Sequence, residues 1–187
     1  MYLENIMKLK FSERKLKGVY EVSCDGYTDD RGFLCRTYDE PMFKKNGINI
    51  KWVQQSISYT AQKQTIRGLH SQSDPFKETK LITLVSGEMF WVVVDIRKNS
   101  DSFGQWDGIV LSRDGVNSLF IPGGFAHGCL SLSNNVTLYL NTDNYFNDKH
   151  SIGIAWDDPE LNIVWPFDGT KVVGKSTHSN YKSFKHF

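Results

Sequence analysis

Residues 65–82, TIRGLHSQSDPFKETKLI, set Arg67, His70, Gln72 and Lys80 into a stretch that otherwise reads as β-structure. Imidazole titrates near neutrality, so His70 has three open readings: a metal ligand, a general base, or a polar residue at a strand end. For a metal, His70, Gln72, Glu78 and, from PGGFAH (122–127), His127 have nearly the right spacing. Gln72 stands where a second histidine is needed, however, and Lys80 would put a cation beside the ion. Two imidazoles and an amide make a poor donor set for a first-row metal, and no metal is expected.

Alternation along strands sorts these side chains. It puts His70 on one face with Gly68 and Gln72, and Lys80 at the head of a face continued by Ile82 and Leu84. A lysine leading an apolar face is unusual. Tyr139 shares a side with Thr137 and Asn141, opposite Val136, Leu138 and Leu140, and that polar side faces either water or a ligand cavity. Taken singly, each residue also has a structural reading. His70 fits a satisfied strand histidine, Lys80 a surface lysine, Arg31 and Arg67 turn anchors, and Tyr139 and Tyr145 half-buried strand aromatics.

The elements that must position them are short strands with turn punctuation. Strands are expected over 17–24, 33–38 and 48–60. The segment 80–96 reads as two strands about a Ser-Gly turn, a hairpin signal. GIVLS (108–112), SLFIP (118–122) and 129–142, with its Ser-Asn-Asn turn, continue the series. One helix is expected over 39–46, with Pro41 in its first turn. Such a series implies an all-β sandwich or barrel. Residues 167–187 lose the alternation and are expected to pack as an appendage or interface tail.

Composition narrows the setting. The 187 residues suit one domain with a substantial core. The 22 basic and 21 acidic residues nearly cancel, so neither nucleic acid nor a membrane surface is an expected partner. No apolar run nears the ~20 residues of a membrane helix, and the first residues lack the apolar core of a signal peptide. Three scattered cysteines, Cys24, Cys35 and Cys129, fit a reduced cytoplasmic protein.

Together these segments resemble the dTDP-4-dehydrorhamnose 3,5-epimerase family. The resemblance is carried by DDRGFL (29–34), WVQQSIS (52–58), IRGLHSQ (66–72) and the run 80–106. It continues through LFIPGGFAHG (119–128), LYLNTDNYF (138–146) and GIAWDDPELNIVWP (153–166), in the family's order, over roughly residues 16–166. It implies an all-β, cupin-like jelly roll forming a metal-free homodimer, without cofactor. The implied substrate is a nucleotide-diphosphate-linked 4-keto-6-deoxyhexose, epimerised at C3, C5 or both. Hydrogens at those carbons are acidified by the ketone, so the site needs a base, an opposed proton donor and charge stabilisation at the enolate oxygen. The resemblance makes His70 the base, Lys80, helped by His127, the stabiliser, and Tyr139 the donor from the far face. Arg31, Gln54, Arg67 and Gln72 match positions that hold diphosphate, nucleoside or sugar, and Tyr145 matches a second tyrosine lining the site.

The chain departs from that pattern four times. Trp91, in FWVVVD, replaces a pocket carboxylate. The tail's VVGKSTHSN lacks the aspartate that supports the histidine in relatives, leaving Ser176 or Thr177 near its place; Asp157, Asp168 or a tail hydroxyl are the possible substitutes. Ser56 replaces a substrate-contacting asparagine. Arg36 replaces a glutamate that reads thymine N3–H. An arginine donor suits the bare N3 of cytosine, which raises a 5-epimerase of a CDP-linked 4-keto-3,6-dideoxyhexose as the alternative.

Overall fold

The computed structural model describes residues 7–113, 117–168, 172–173, 181 and 183–187. In chain order its strands begin with β1 (Leu9–Glu13), β2 (Tyr20–Cys24), β3 (Tyr27–Asp29), β4 (Gly32–Leu34), β5 (Gln54–Thr60), β6 (Thr65–Gln72) and β7 (Lys80–Ser86). They continue with β8 (Glu88–Asp95), β9 (Trp106–Ser112), β10 (Asn117–Ile121), β11 (Phe125–Ser131), β12 (Val136–Thr142), β13 (Ser151–Gly153) and β14 (Val172–Val173). One antiparallel sheet has the order β1-β2-β10-β7-β12-β5. A second has the order β13-β6-β11-β8-β9, with β14 joining β6 in parallel, and β3 pairs with β4 apart from both.

Side-chain alternation divides the core into three layers. Ile82 and Leu84 of β7, Leu138 of β12, and Met89, Trp91 and Val93 of β8 meet between the sheets. The intervening β8 residues, Phe90, Val92 and Val94, face outward under Ile154, Leu161, Trp165 and Phe184. With both faces covered, β8 reads as a continuous apolar run. On the other sheet, Leu81 and Phe120 face outward onto Phe43 of α1 (Glu40–Lys45). That helix begins where the sequence expects it, because the Asp39 carboxylate accepts the Met42 N–H at 3.1 Å.

Four expectations change. The run 80–96 is not a hairpin: β7 belongs to one sheet and β8 to the other, and the run 129–142 is divided in the same way between β12 and β11. A turn signal marks where the chain bends but not which strand pairs with which. In 48–60 only residues from Gln54 onward are strand; Ile48, Ile50 and Trp52 alternate because they pack into the outer layer, not because they pair. The strand expected over 33–38 ends at Leu34. The tail is more than an appendage, since Phe184 is buried and Phe187 packs beside it. Among the described residues no helix is long and apolar enough to cross a membrane.

Candidate active site

A bulge in β6 builds the site. His70 lies opposite His127 on β11, whereas Arg67 lies opposite Cys129, so three residues of β6 span two of β11. His70 therefore shares its face with Arg67, and not with Gly68 as plain alternation expects. The two strands approach so closely there that glycine is required on both. A Cβ on Gly68 would lie 2.6 Å from Gly128 Cα, and one on Gly128 would lie 2.8 Å from Arg67 O. Gly68 also has φ +109°. The Arg-Gly-Leu-His and His-Gly motifs thus encode a backbone contact as well as side chains.

Five strands from both sheets converge on this face. The His70 and His127 rings are 6.3 Å apart, and His127 stacks on Trp91 at 6.0 Å. From the opposite sheet Lys80 Nζ donates to Glu78 Oε2 at 2.8 Å, with both side chains largely buried. The Arg67 guanidinium reaches across to Thr60 Oγ1 and Tyr59 O, both at 3.1 Å. On β5, Gln54 and Ser56 stand opposite Thr142 and Leu140, hence on the inner side with Leu140. Two amides fix the surrounding loops. Gln54 Oε1 accepts the Phe146 N–H at 3.0 Å, and Gln72 Nε2 donates to Phe76 O at 2.8 Å and Tyr145 O at 3.2 Å.

The electrostatics keep both imidazoles neutral at neutral pH. Although His70 retains exposed surface, desolvation, then the charges of Lys80 and Arg67, lower its pKa to about 4. Burial, then Lys80 and His70, hold His127 well below the usual histidine range. Its buried Nε2 has no hydrogen-bond partner among the described residues. His70 Nδ1 lies 3.1 Å from the hydroxyl of Tyr181. The arrangement offers a neutral imidazole, an ammonium on the opposite wall and an unspent imidazole nitrogen: a base facing an electrostatic stabiliser.

Not every expected residue joins it. Tyr139 pairs with Ile57 and Thr83, while its neighbours Leu138 and Leu140 face the inner core, so its side chain stands on the outer face of the sheet, 39% exposed. The polar side of β12 is the outer one, and the Tyr139 expectation is not met. Arg31 is bound to Asp29 and is 82% exposed, while Arg36 is bound to Asp39, the helix cap. Tyr145 is exposed and meets the site through its carbonyl. Asp168 pairs with Lys63, Asp157 lies on the rim of a separate surface hollow with Pro159 and Val164, and Ser176 and Thr177 lie outside the described residues. The metal donor set does not assemble: Glu78 is engaged by Lys80 and Gln72 by backbone, and no group of three His, Cys, Asp or Glu among the described residues is placed to hold an ion.

Two participants escaped the sequence. Glu78 was legible only as a metal donor, although its i,i+2 spacing to Lys80 puts both on one side of an extended chain. Tyr181 carried no signal, lying in a stretch without periodicity.

Comparison with known proteins places these features in context. The sequence model described as dTDP-4-dehydrorhamnose 3,5-epimerase matches residues 13–184. The protein of that name from Methanothermobacter thermautotrophicus is 37% identical over 161 residues, covering 86% of either chain. The crystal structure of a dTDP-4-dehydrorhamnose 3,5-epimerase from Bacillus anthracis, with TDP and PPi bound, has a TM-score of 0.87 at 35% identity, covering 91% of this chain and 97% of that one. A Legionella pneumophila dTDP-6-deoxy-D-glucose-3,5-epimerase in complex with dTDP-4-keto-L-rhamnose has a TM-score of 0.85 at 31% identity, covering 90% and 89%.

Proposed function

This chain belongs to the dTDP-4-dehydrorhamnose 3,5-epimerase family, and from that premise we propose that it inverts C5, C3 or both of a dTDP-linked 4-keto-6-deoxyhexose. The observation that carries the reading is the meeting of His70, His127 and Lys80, from three strands and two sheets. His70, neutral above about pH 4, takes the proton from the carbon beside the ketone. The C–H electron pair moves into an enolate whose oxygen is met by the Lys80 ammonium, with the free His127 nitrogen beside it. Arg67 suits the diphosphate, since guanidinium offers several fixed donors. Inversion needs a proton from the opposite side. The inward side chains of β5 there, Gln54 and Ser56, carry no acid and are open to solvent, so solvent water supplies the proton, and Tyr139 is outside the step.

The CDP alternative is not favoured. Arg36, its sole support, is spent on the helix-capping Asp39, and the matched relatives are named for dTDP sugars. Homodimer formation is supported by Ile57, Tyr59 and Tyr139, exposed apolar side chains sharing the outer face of the β5 edge. Deuterium incorporation from D2O into dTDP-4-keto-6-deoxyglucose, followed by NMR, tests the function. Exchange at C3, C5 or both, lost in His70→Ala, is expected. No exchange with this sugar overturns the reading.

A further inference from the structure

In relatives of this family, by the resemblance above, a tail carboxylate supports the histidine; here the described tail brings a phenol. The Tyr181 hydroxyl is 3.1 Å from His70 Nδ1, and the two rings stand edge to face at 6.1 Å and 85°. The contact is built in from two directions. Gly153, paired with His70 across β13 and β6, leaves the slot that the Tyr181 ring fills, since a Cβ there would collide with Tyr181 Cδ1. Three residues further on, Phe184 is buried in the outer layer and its N–H is held by Asp158 Oδ2 at 2.9 Å. Glycine on one side and a packed phenylalanine on the other therefore fix where the phenol sits.

We propose that Tyr181 is the positioning residue of His70, its hydroxyl oxygen accepting the Nδ1–H so that the Nε2 lone pair faces the substrate. This rests on His70 being the base of the proposed epimerisation. Nδ1 is the nitrogen already engaged, which leaves Nε2 for the reacting carbon. As the substrate proton arrives on Nε2, the imidazolium keeps donating Nδ1–H to the phenol oxygen. The electron pair left on the sugar goes to the ketone oxygen near Lys80, so the positive charge gained by His70 balances the enolate formed. A phenol differs from a carboxylate in orienting the ring without adding a negative charge. Among the described residues, the groups facing His70 are Arg67 on its own strand, His127 from β11, Lys80 from β7 with Glu78 behind it, and Tyr181. No anion among them touches the ring directly, in keeping with its lowered pKa.

The test reads the tautomer and the chemistry separately, on the full chain labelled with 15N-histidine and with His70 assigned through His70→Gln. Neutral His70 is expected mainly as the Nδ1–H tautomer in the parent protein and as a mixture in Tyr181→Phe, which keeps the ring in the Gly153 slot. Deuterium wash-in is expected to slow about tenfold to a hundredfold in Tyr181→Phe with KM unchanged, the scale for losing an orienting partner. An Nε2–H tautomer in the parent protein, or a tautomer ratio indifferent to Tyr181→Phe, overturns the proposal. Because the tautomer is read without substrate, a parent protein inactive on the dTDP sugar would sink the epimerase reading and still leave Tyr181 decided.

Discussion

Replacing Glu78 by glutamine isolates the ion pair on which Lys80 depends. Its carboxylate lies 2.8 Å from the ammonium, and the two side chains are only 10% and 16% exposed. An exposed pair contributes at most about 1 kcal/mol. Removing one charge from a buried pair costs about 3–5 kcal/mol, because the other is stranded away from water. Glutamine keeps a hydrogen-bond acceptor for the ammonium, so about 3 kcal/mol is expected for Glu78→Gln. For a chain of this size that lowers Tm by about 6–12 °C. Urea unfolding followed by tryptophan fluorescence measures it, provided the slope with denaturant is unchanged. The double variant Glu78→Gln with Lys80→Met removes the stranded cation, and its stability should return to within about 1 kcal/mol of the parent while deuterium wash-in stays lost. A loss below about 1 kcal/mol in Glu78→Gln, or no recovery in the double variant, would refute the argument that this pair is buried and mutually compensated.

Tyr139→Phe should leave the wash-in rate within about twofold of the parent, since the side chain stands on the outer face of its sheet; a loss near a hundredfold would put the phenol back inside. The pH dependence has a worked sign. His70 titrates near 6.5 when unfolded and about 4 when folded, so the unfolded chain binds more protons between those values. Stability should therefore fall as pH drops from about 6.5 toward 4, with His127 acting in the same direction. Urea midpoints at several pH values read this, and the dependence should weaken in His70→Gln. Gly68→Ala should cost about 3 kcal/mol or more, through a backbone clash and a positive φ, measured by the same unfolding assay.

Much of the architecture could be read in advance because hydrophobic alternation and turn residues are local properties. The helix at 40–45 announced itself through Asp39 and Pro41, and the inward set Lys80, Ile82 and Leu84 followed from period two. Pairing is not local. Nothing in Ser86-Gly87 says that the chain leaves one sheet for the other, so the expected hairpin dissolves into two strands of different sheets. The bulge in β6 was hidden for the same reason. It arises only when Gly68 meets Gly128, some sixty residues apart in sequence, and it decides whether Arg67 or Gly68 accompanies His70. Tyr139 shows the reverse difficulty. Alternation correctly opposed it to Leu138 and Leu140, but only the second sheet reveals that the leucines hold the inner side.

The two carboxylates lost around His70 have one electrostatic logic. By the resemblance, relatives place a carboxylate where Trp91 stands and another in the tail, and this chain has neither there. A buried ammonium still needs an anion, and Glu78 supplies it from the segment leading into β7. Once Lys80 is neutralised from the segment just before its strand, a second carboxylate at position 91 would leave an excess negative charge beside an enolate that must itself carry one. Tryptophan removes that conflict and gives His127 an apolar plate to stack upon. The same reasoning covers His70, for which a phenol orients the ring without adding charge. The cost falls on basicity: with no anion among the described residues against it, His70 is a weaker base than a carboxylate-supported one. Under the proposed mechanism the chemistry then leans more heavily on Lys80 at the enolate oxygen, and that makes the Glu78–Lys80 pair the part of the site least able to tolerate change.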